Sequence, residues 1–132
     1  NKIMASVSAD IAKPIDITIR RNDSFYLKVV VTNDDGTVYD LLKDDNSTPF
    51  DCQLIVYSSD NNPILGFSNA AETATYFVDS SITVTPSTAA IVIDAAASNI
   101  TIKKGSYKYK LVVTGTTEVN TLMIGKIKVI DI

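Results

Sequence analysis

The stretch Lys104-Gly105-Ser106-Tyr107-Lys108-Tyr109-Lys110-Leu111-Val112-Val113, followed after a short polar turn by Thr121-Leu122-Met123-Ile124-Gly125-Lys126-Ile127-Lys128-Val129, reads as one long β-hairpin. In the first arm Tyr107, Tyr109, Leu111 and Val113 recur at a spacing of two, while Lys108, Lys110 and Thr114 take the opposite face, the pattern of a half-buried antiparallel strand. That pattern assigns Leu111 and Val113 to a core and Lys108 and Lys110 to solvent. In the second arm Leu122 and Ile124 occupy even positions and Ile127 and Val129 odd ones, so the apolar set changes phase across Gly125. A β-bulge at Gly125 accounts for the change, since glycine readily takes the αL conformation that one bulge type needs. The alternative is that Thr121 and Met123 face the core and Gly125 is a gap.

Working outward from the hairpin, period-two patterning continues. Ile15, Ile17 and Ile19 alternate with polar residues, Arg21-Asn22-Asp23 breaks the run, and Phe25, Leu27, Val29 and Val31 resume it. Asp34-Asp35-Gly36 supplies a tight turn that sends Thr37 to Leu41 back alongside. Cys52 to Tyr57 is apolar on both faces at several positions, with Ile55 and Tyr57 interleaving Cys52, Leu54 and Val56, which fits a central strand covered on both sides. Ser58 to Pro63 forces another turn. Ile64 to Phe67, Thr75 to Val78, Ile82 to Val84 and Ile91 to Ile93 read as further short strands. Asp94 to Asn99 alone has helix propensity, enough for a turn or two, with Asp94 placed to cap it. The expected fold is all-β: an antiparallel Ig-like or jelly-roll-type β-sandwich with at most one or two short helical turns.

Bulk properties narrow the partners. At 132 residues the chain fits one domain, with an arm over 1–13 and the sandwich over 14–132. Twelve basic against 15 acidic residues leave no cationic excess for a phosphate backbone, so nucleic acid is not an expected partner. No run approaches the ~18 apolar residues of a membrane span, and a soluble chain without a membrane partner is expected. Cys52, the single cysteine, cannot form an internal disulfide and alternates with Leu54 and Val56, which marks it as a buried small hydrophobe.

The residues offer little chemistry. The chain has no histidine, which removes Ser-His-Asp and Cys-His arrangements and His-ligated zinc. Glu72 and Glu118 are its only glutamates and sit beside turns, not as a catalytic pair. The five glycines are isolated, so there is no phosphate-cradling loop. Asp34, Asp35, Asp40, Asp44, Asp45 and Asp51 raise a calcium reading, yet Asn33-Asp34-Asp35-Gly36 lacks the EF-hand order, and aspartate is the ordinary residue of β-turns. The sequons at Asn22, Asn46 and Asn99 are no more than a Ser/Thr-rich composition gives by chance. The expectation is therefore a chain that is not an enzyme, with no catalytic residues, no metal ligands, no cofactor and no small-molecule ligand.

One resemblance gives these elements a context. The Ile-x-Ile-x-Ile strand, Arg21-Asn22-Asp23-Ser24-Phe25-Tyr26-Leu27-Lys28-Val29 and Asp34-Asp35-Gly36-Thr37-Val38-Tyr39-Asp40-Leu41 resemble the opening of a tailed-phage virion β-sandwich domain, of the kind at the N-terminus of phage baseplate upper proteins. Ile91 to Thr101 is similar to that family's strand plus helical turn. Gly105-Ser106-Tyr107-Lys108-Tyr109-Lys110-Leu111 and Leu122 to Val129 match its Gly-x-Tyr-x-Tyr-x-Leu arm and Leu-x-x-Gly-x-x-x-Val closing strand. The likeness runs from about Ile15 to the C-terminus; it departs at Asn22, where the family commonly has glycine, and over Asn61 to Pro86, which is longer and richer in Ser, Thr and Ala. It implies a non-enzymatic structural protein of a bacteriophage particle, a tail or baseplate adaptor or a head-decorating protein, assembled in the bacterial cytoplasm. Its partners would be other virion proteins and copies of itself. The second reading is an adhesin-like or carbohydrate-binding β-sandwich, which gains if Tyr39, Tyr57 and Tyr76 are exposed on one surface.

The arm Asn1 to Lys13 lies outside the resemblance. Ile3, Ala5 and Val7 alternate with Met4, Ser6 and Ser8, but no neighbouring segment offers a hairpin partner. Two arrangements follow. The arm docks on a neighbouring subunit, with Ile3, Met4 and Val7 as the assembly contacts, or it folds back on its own sandwich as an edge strand.

Overall fold

The computed structural model describes residues 2–9 and 11–131. Its strands, in chain order, are β1 (Lys2–Ser8), β2 (Lys13–Pro14), β3 (Ile17–Arg20), β4 (Phe25–Thr32), β5 (Asp51–Tyr57), β6 (Pro63–Ser68), β7 (Phe77–Val78), β8 (Ile82–Thr85), β9 (Ala90–Ala95), β10 (Gly105–Thr114) and β11 (Val119–Ile130). One sheet has the order β1-β4-β9-β8; the other runs β2-β11-β10-β5-β6-β7, with β3 also paired to β11. The chain is all-β, 55% strand, and the two sheets pack as a sandwich.

Alternation decides what lies between the sheets. Phe25, Leu27, Val29 and Val31 of β4 point inward, as do Ile91 and Ile93 of β9; they meet Cys52, Leu54, Val56, Leu111, Val113, Ile127 and Val129 from the opposite sheet. Phe25 and Phe67 bridge the layers with ring centroids 6.0 Å apart. In β5 Ile55 is buried too, on the outer face, as the continuous apolar run implies. Gly66 stands opposite Ile55, and the Phe77 ring lies over Gly66, where a Cβ would come within 2.6 Å of it.

The hairpins form where turn residues place them. Gly36 has φ +87° at the tip after β4, its N–H donating to the Asn33 carbonyl (2.9 Å). The returning segment makes a single bridge, Thr32 to Val38, not a strand. Asn61 (φ +64°) closes the β5–β6 turn and Asn46 (φ +58°) a third tight turn over 43–48. Asn22, at φ +70°, takes a left-handed conformation that asparagine tolerates better than most residues. The helical segment near Ala95 is one 3-10 turn, Ala97–Asn99; Asp94 belongs to β9 and does not cap it, the cap position being Ala96 without a side-chain bond.

Two expectations change in detail. The long hairpins are antiparallel, but β1 runs parallel to β4, β2 and β3 parallel to β11, and β7 parallel to β6, which makes both sheets mixed. The bulge in β11 is at Leu122: Leu111 faces Met123 and Val112 faces Thr121, whereas the pairing of Tyr109 with Gly125 and Lys108 with Lys126 runs on without a break. Leu122 and Met123 are therefore both buried, and Ile124 turns outward, 44% exposed.

Gly125 serves close approach. The Tyr109 hydroxyl donates to the Ile15 carbonyl (2.6 Å), and Asp16 accepts the Lys126 N–H (3.1 Å), which draws the β2–β3 junction against β11. A Cβ on Gly125 would overlap the Ile15 carbonyl. Gly125→Ala is expected to lower unfolding free energy by roughly 1–3 kcal/mol. The check is a lower urea midpoint at unchanged slope; an unmoved midpoint would show that the junction can retreat.

Candidate functional site

The arm is the first candidate. It forms β1, in continuous parallel register with β4 from Lys2 opposite Tyr26 to Ser8 opposite Thr32. Of the two arrangements open from sequence, the structure shows docking in cis; Asn1 and Asp10 lie outside the described residues. Of the expected assembly contacts, Val7 packs into this chain's own core at 3% exposure. Ile3 packs partly on that core, and Met4 faces solvent at 65% exposure. The cause is parity, since odd positions of β1 point at the opposite sheet once β4 sets the register. Met4, Ala5, Ser6, Lys28 and Val30 line a shallow hollow of about 260 Å³ on this outer face.

The second candidate is the outer face of the larger sheet. Lys108 stands directly opposite Lys126, and Ser106 opposite Lys128, which itself neighbours Thr18 on β3; Arg20 follows two positions on, opposite Ile130. Lys110 lies beside Tyr57, its Nζ 5.6 Å from the ring centroid. Among the described residues, none of these lysines has a carboxylate within ion-pair distance, the two ion pairs being Arg21–Asp131 and Lys43–Asp51. Ser59, Ser106, Tyr107, Lys108 and Lys126 surround a hollow of about 220 Å³. Sequence reading placed Lys108 and Lys110 in solvent but did not join them to Lys126 and Lys128. The available signal was a pair of Lys-x-Lys motifs, both at outward parity, on strands that form one hairpin.

Six of the 15 acidic residues lie in the turns over 33–51, at the end of the sandwich where Asp51 faces Thr114. The one base in these turns, Lys43, pairs with Asp51 at 3.2 Å. Asp44 N–H donates to the Thr116 hydroxyl (3.0 Å), which brings the Glu118 turn beside them. These carboxylates organise turns. Asp45 accepts from the Thr48 hydroxyl and from the N–H groups of Ser47 and Thr48, and these bonds hold its pKa down to about 2. Asp35 is lowered the same way by Thr37. Among the described residues no group of three or more His, Cys, Asp or Glu side chains is placed to hold a metal. A depressed folded-state pKa means that the stabilising contribution of Asp45 is present above its ordinary 3.8 and fades as pH falls through about 2. In Thr48→Ala the Asp45 carboxyl, followed by NMR, is expected to titrate closer to 3.8; an unchanged midpoint would assign the shift to the backbone donors.

Burial pushes the Cys52 thiol well up, and burial followed by the nearby Asp16 charge pushes the Tyr109 hydroxyl up. None of the three tyrosines of the sugar-binding reading is fully exposed. Tyr39 packs edge-on against Phe50 and bonds Asn120 at the acidic end, Tyr57 lies at the other end of β5, and Tyr76 stacks on Phe77; all three are half-buried.

No family model matches the chain, and no curated protein matches it. The class defined by the fold is an all-β sandwich with two mixed sheets.

Proposed function

We propose that the chain is a non-enzymatic structural module of a bacteriophage particle, a tail or baseplate adaptor or a head-decorating protein that acts by protein–protein assembly. The observation that carries this reading is the order of the quoted motifs, carried by successive elements of one sandwich: β3, β4, the Gly36 turn, β9 with its 3-10 turn, then β10 and β11. A rigid two-layer body that presents broad sheet faces suits a part that buries surface against neighbours. The resemblance supplies the phage context, and fold alone would not.

The test is composition. Particles purified from a lysate of the phage that encodes this chain are expected to contain it in multiple copies per particle by mass spectrometry. Recovery only in the particle-free fraction contradicts the proposal.

A further inference from the structure

From the placement of charge we infer that the lysine face of the larger sheet docks the acidic turn end of a second copy of this chain, in a head-to-tail contact. The inference rests on the reading of the chain as an assembly module and names one of its partners.

Lys108 and Lys126 oppose each other across the β10–β11 ladder, an arrangement that costs stability in an isolated sheet. With Lys110 and Lys128 they leave four cations on two adjacent strands with no carboxylate within ion-pair distance among the described residues. Asp16 accepts the Lys126 N–H and Asp60 follows Ser59, yet neither is within ion-pair distance of a lysine of this face; the larger group of carboxylates is on the same molecule at the far end. Lys108 lies six residues before Thr114, at the acidic end of β10, a distance of roughly 20 Å along a strand. Asp34, Asp35, Asp40, Asp44 and Asp45 project there on exposed turns. Patches that complement each other but lie at different ends of one chain can meet between chains, and such a contact is heterologous: it closes into a ring or extends as a filament. The turn over 43–48, with Asp44 and Asp45 at its tip, is the part that enters the hollow between Ser59, Ser106, Lys108 and Lys126.

Sedimentation of the purified chain tests this. Weight-average mass is expected to exceed 14.3 kDa at about 20 mM salt and to return to that value near 0.5 M, where screening acts within a few ångströms. Lys108→Glu/Lys126→Glu and, separately, Asp34→Lys/Asp44→Lys are each expected to weaken self-association at least tenfold; the second pair spares the turn bonds of Asp35 and Asp45. Mixing the two variants is expected to restore association, because each retains the patch the other has lost. Melting curves near wild type establish that both fold, and Lys108→Gln/Lys126→Gln provides a neutral control. A monomer at every ionic strength, association indifferent to salt, or no recovery on mixing overturns the inference. So does a wild-type monomer that binds heparin through Lys108 and Lys126, which would make the occupant a foreign polyanion. The particle-composition experiment reads the assembly proposal separately, since a chain can be a virion component without binding itself.

Discussion

Removal of residues 1–8 is expected to lower the melting temperature of the isolated chain by roughly 10–20 °C, which corresponds to a loss on the order of 3–5 kcal/mol for a domain of this size. Val7 is buried and alone accounts for roughly 1.5–3 kcal/mol of that, with partial contributions from Ile3 and Ala5. The deletion also strips the whole pairing partner from one edge of β4, whose inward residues Leu27, Val29 and Val31 have no exposure in the intact fold. A free β4 edge offers unpaired backbone groups to other chains, so the truncated protein is expected to aggregate near its transition. Differential scanning calorimetry decides the matter. An unchanged melting temperature would mean that the arm contributes nothing in cis and returns Ile3 and Val7 to the set of intermolecular contacts.

Leu111→Ala is expected to cost about 2–5 kcal/mol, with a cavity left at the middle of the larger sheet. Leu111 has no exposure and is flanked by Leu54 and Met123, both equally buried, so no neighbour can relax into the space without losing contacts of its own. Three residues away, Lys108→Ala should stay within about 0.5 kcal/mol. It also relieves the like-charge pair with Lys126. Equal losses at both positions in urea titrations would show that the faces of β10 are assigned wrongly.

What could be read in advance follows range of interaction. Strand parity, the Gly36 and Asn61 turns, the doubly covered β5 and the burial of Cys52 are local patterns, and each is legible from side-chain alternation or turn chemistry. The parallel pairings of β1 with β4 and of β2 and β3 with β11 are not, because parallel neighbours are never joined by a tight turn and leave no hairpin signal. The bulge position is hidden for a related reason: Leu122-Met123-Ile124 is apolar throughout, so periodicity cannot say which residue is extra, and a nearby glycine is the usual bulge residue. Gly125 answers instead to the Ile15 carbonyl, more than 100 positions away in the chain. The lysine face was half visible, and only the β10–β11 register joined its two Lys-x-Lys motifs into one patch.

Zero-length carbodiimide cross-linking tests the central claim, that the lysine face docks the acidic turn end of a second copy, most directly. Lysines are coupled to carboxylates in a mixture of isotopically light and heavy chains at low salt, so that links between chains are distinguished from links within one. The account predicts mixed-isotope cross-links that join Lys108 or Lys126 to Asp44 or Asp45 and disappear at high salt. Cross-links confined to single chains, or mixed-isotope links that leave both patches untouched, would contradict it.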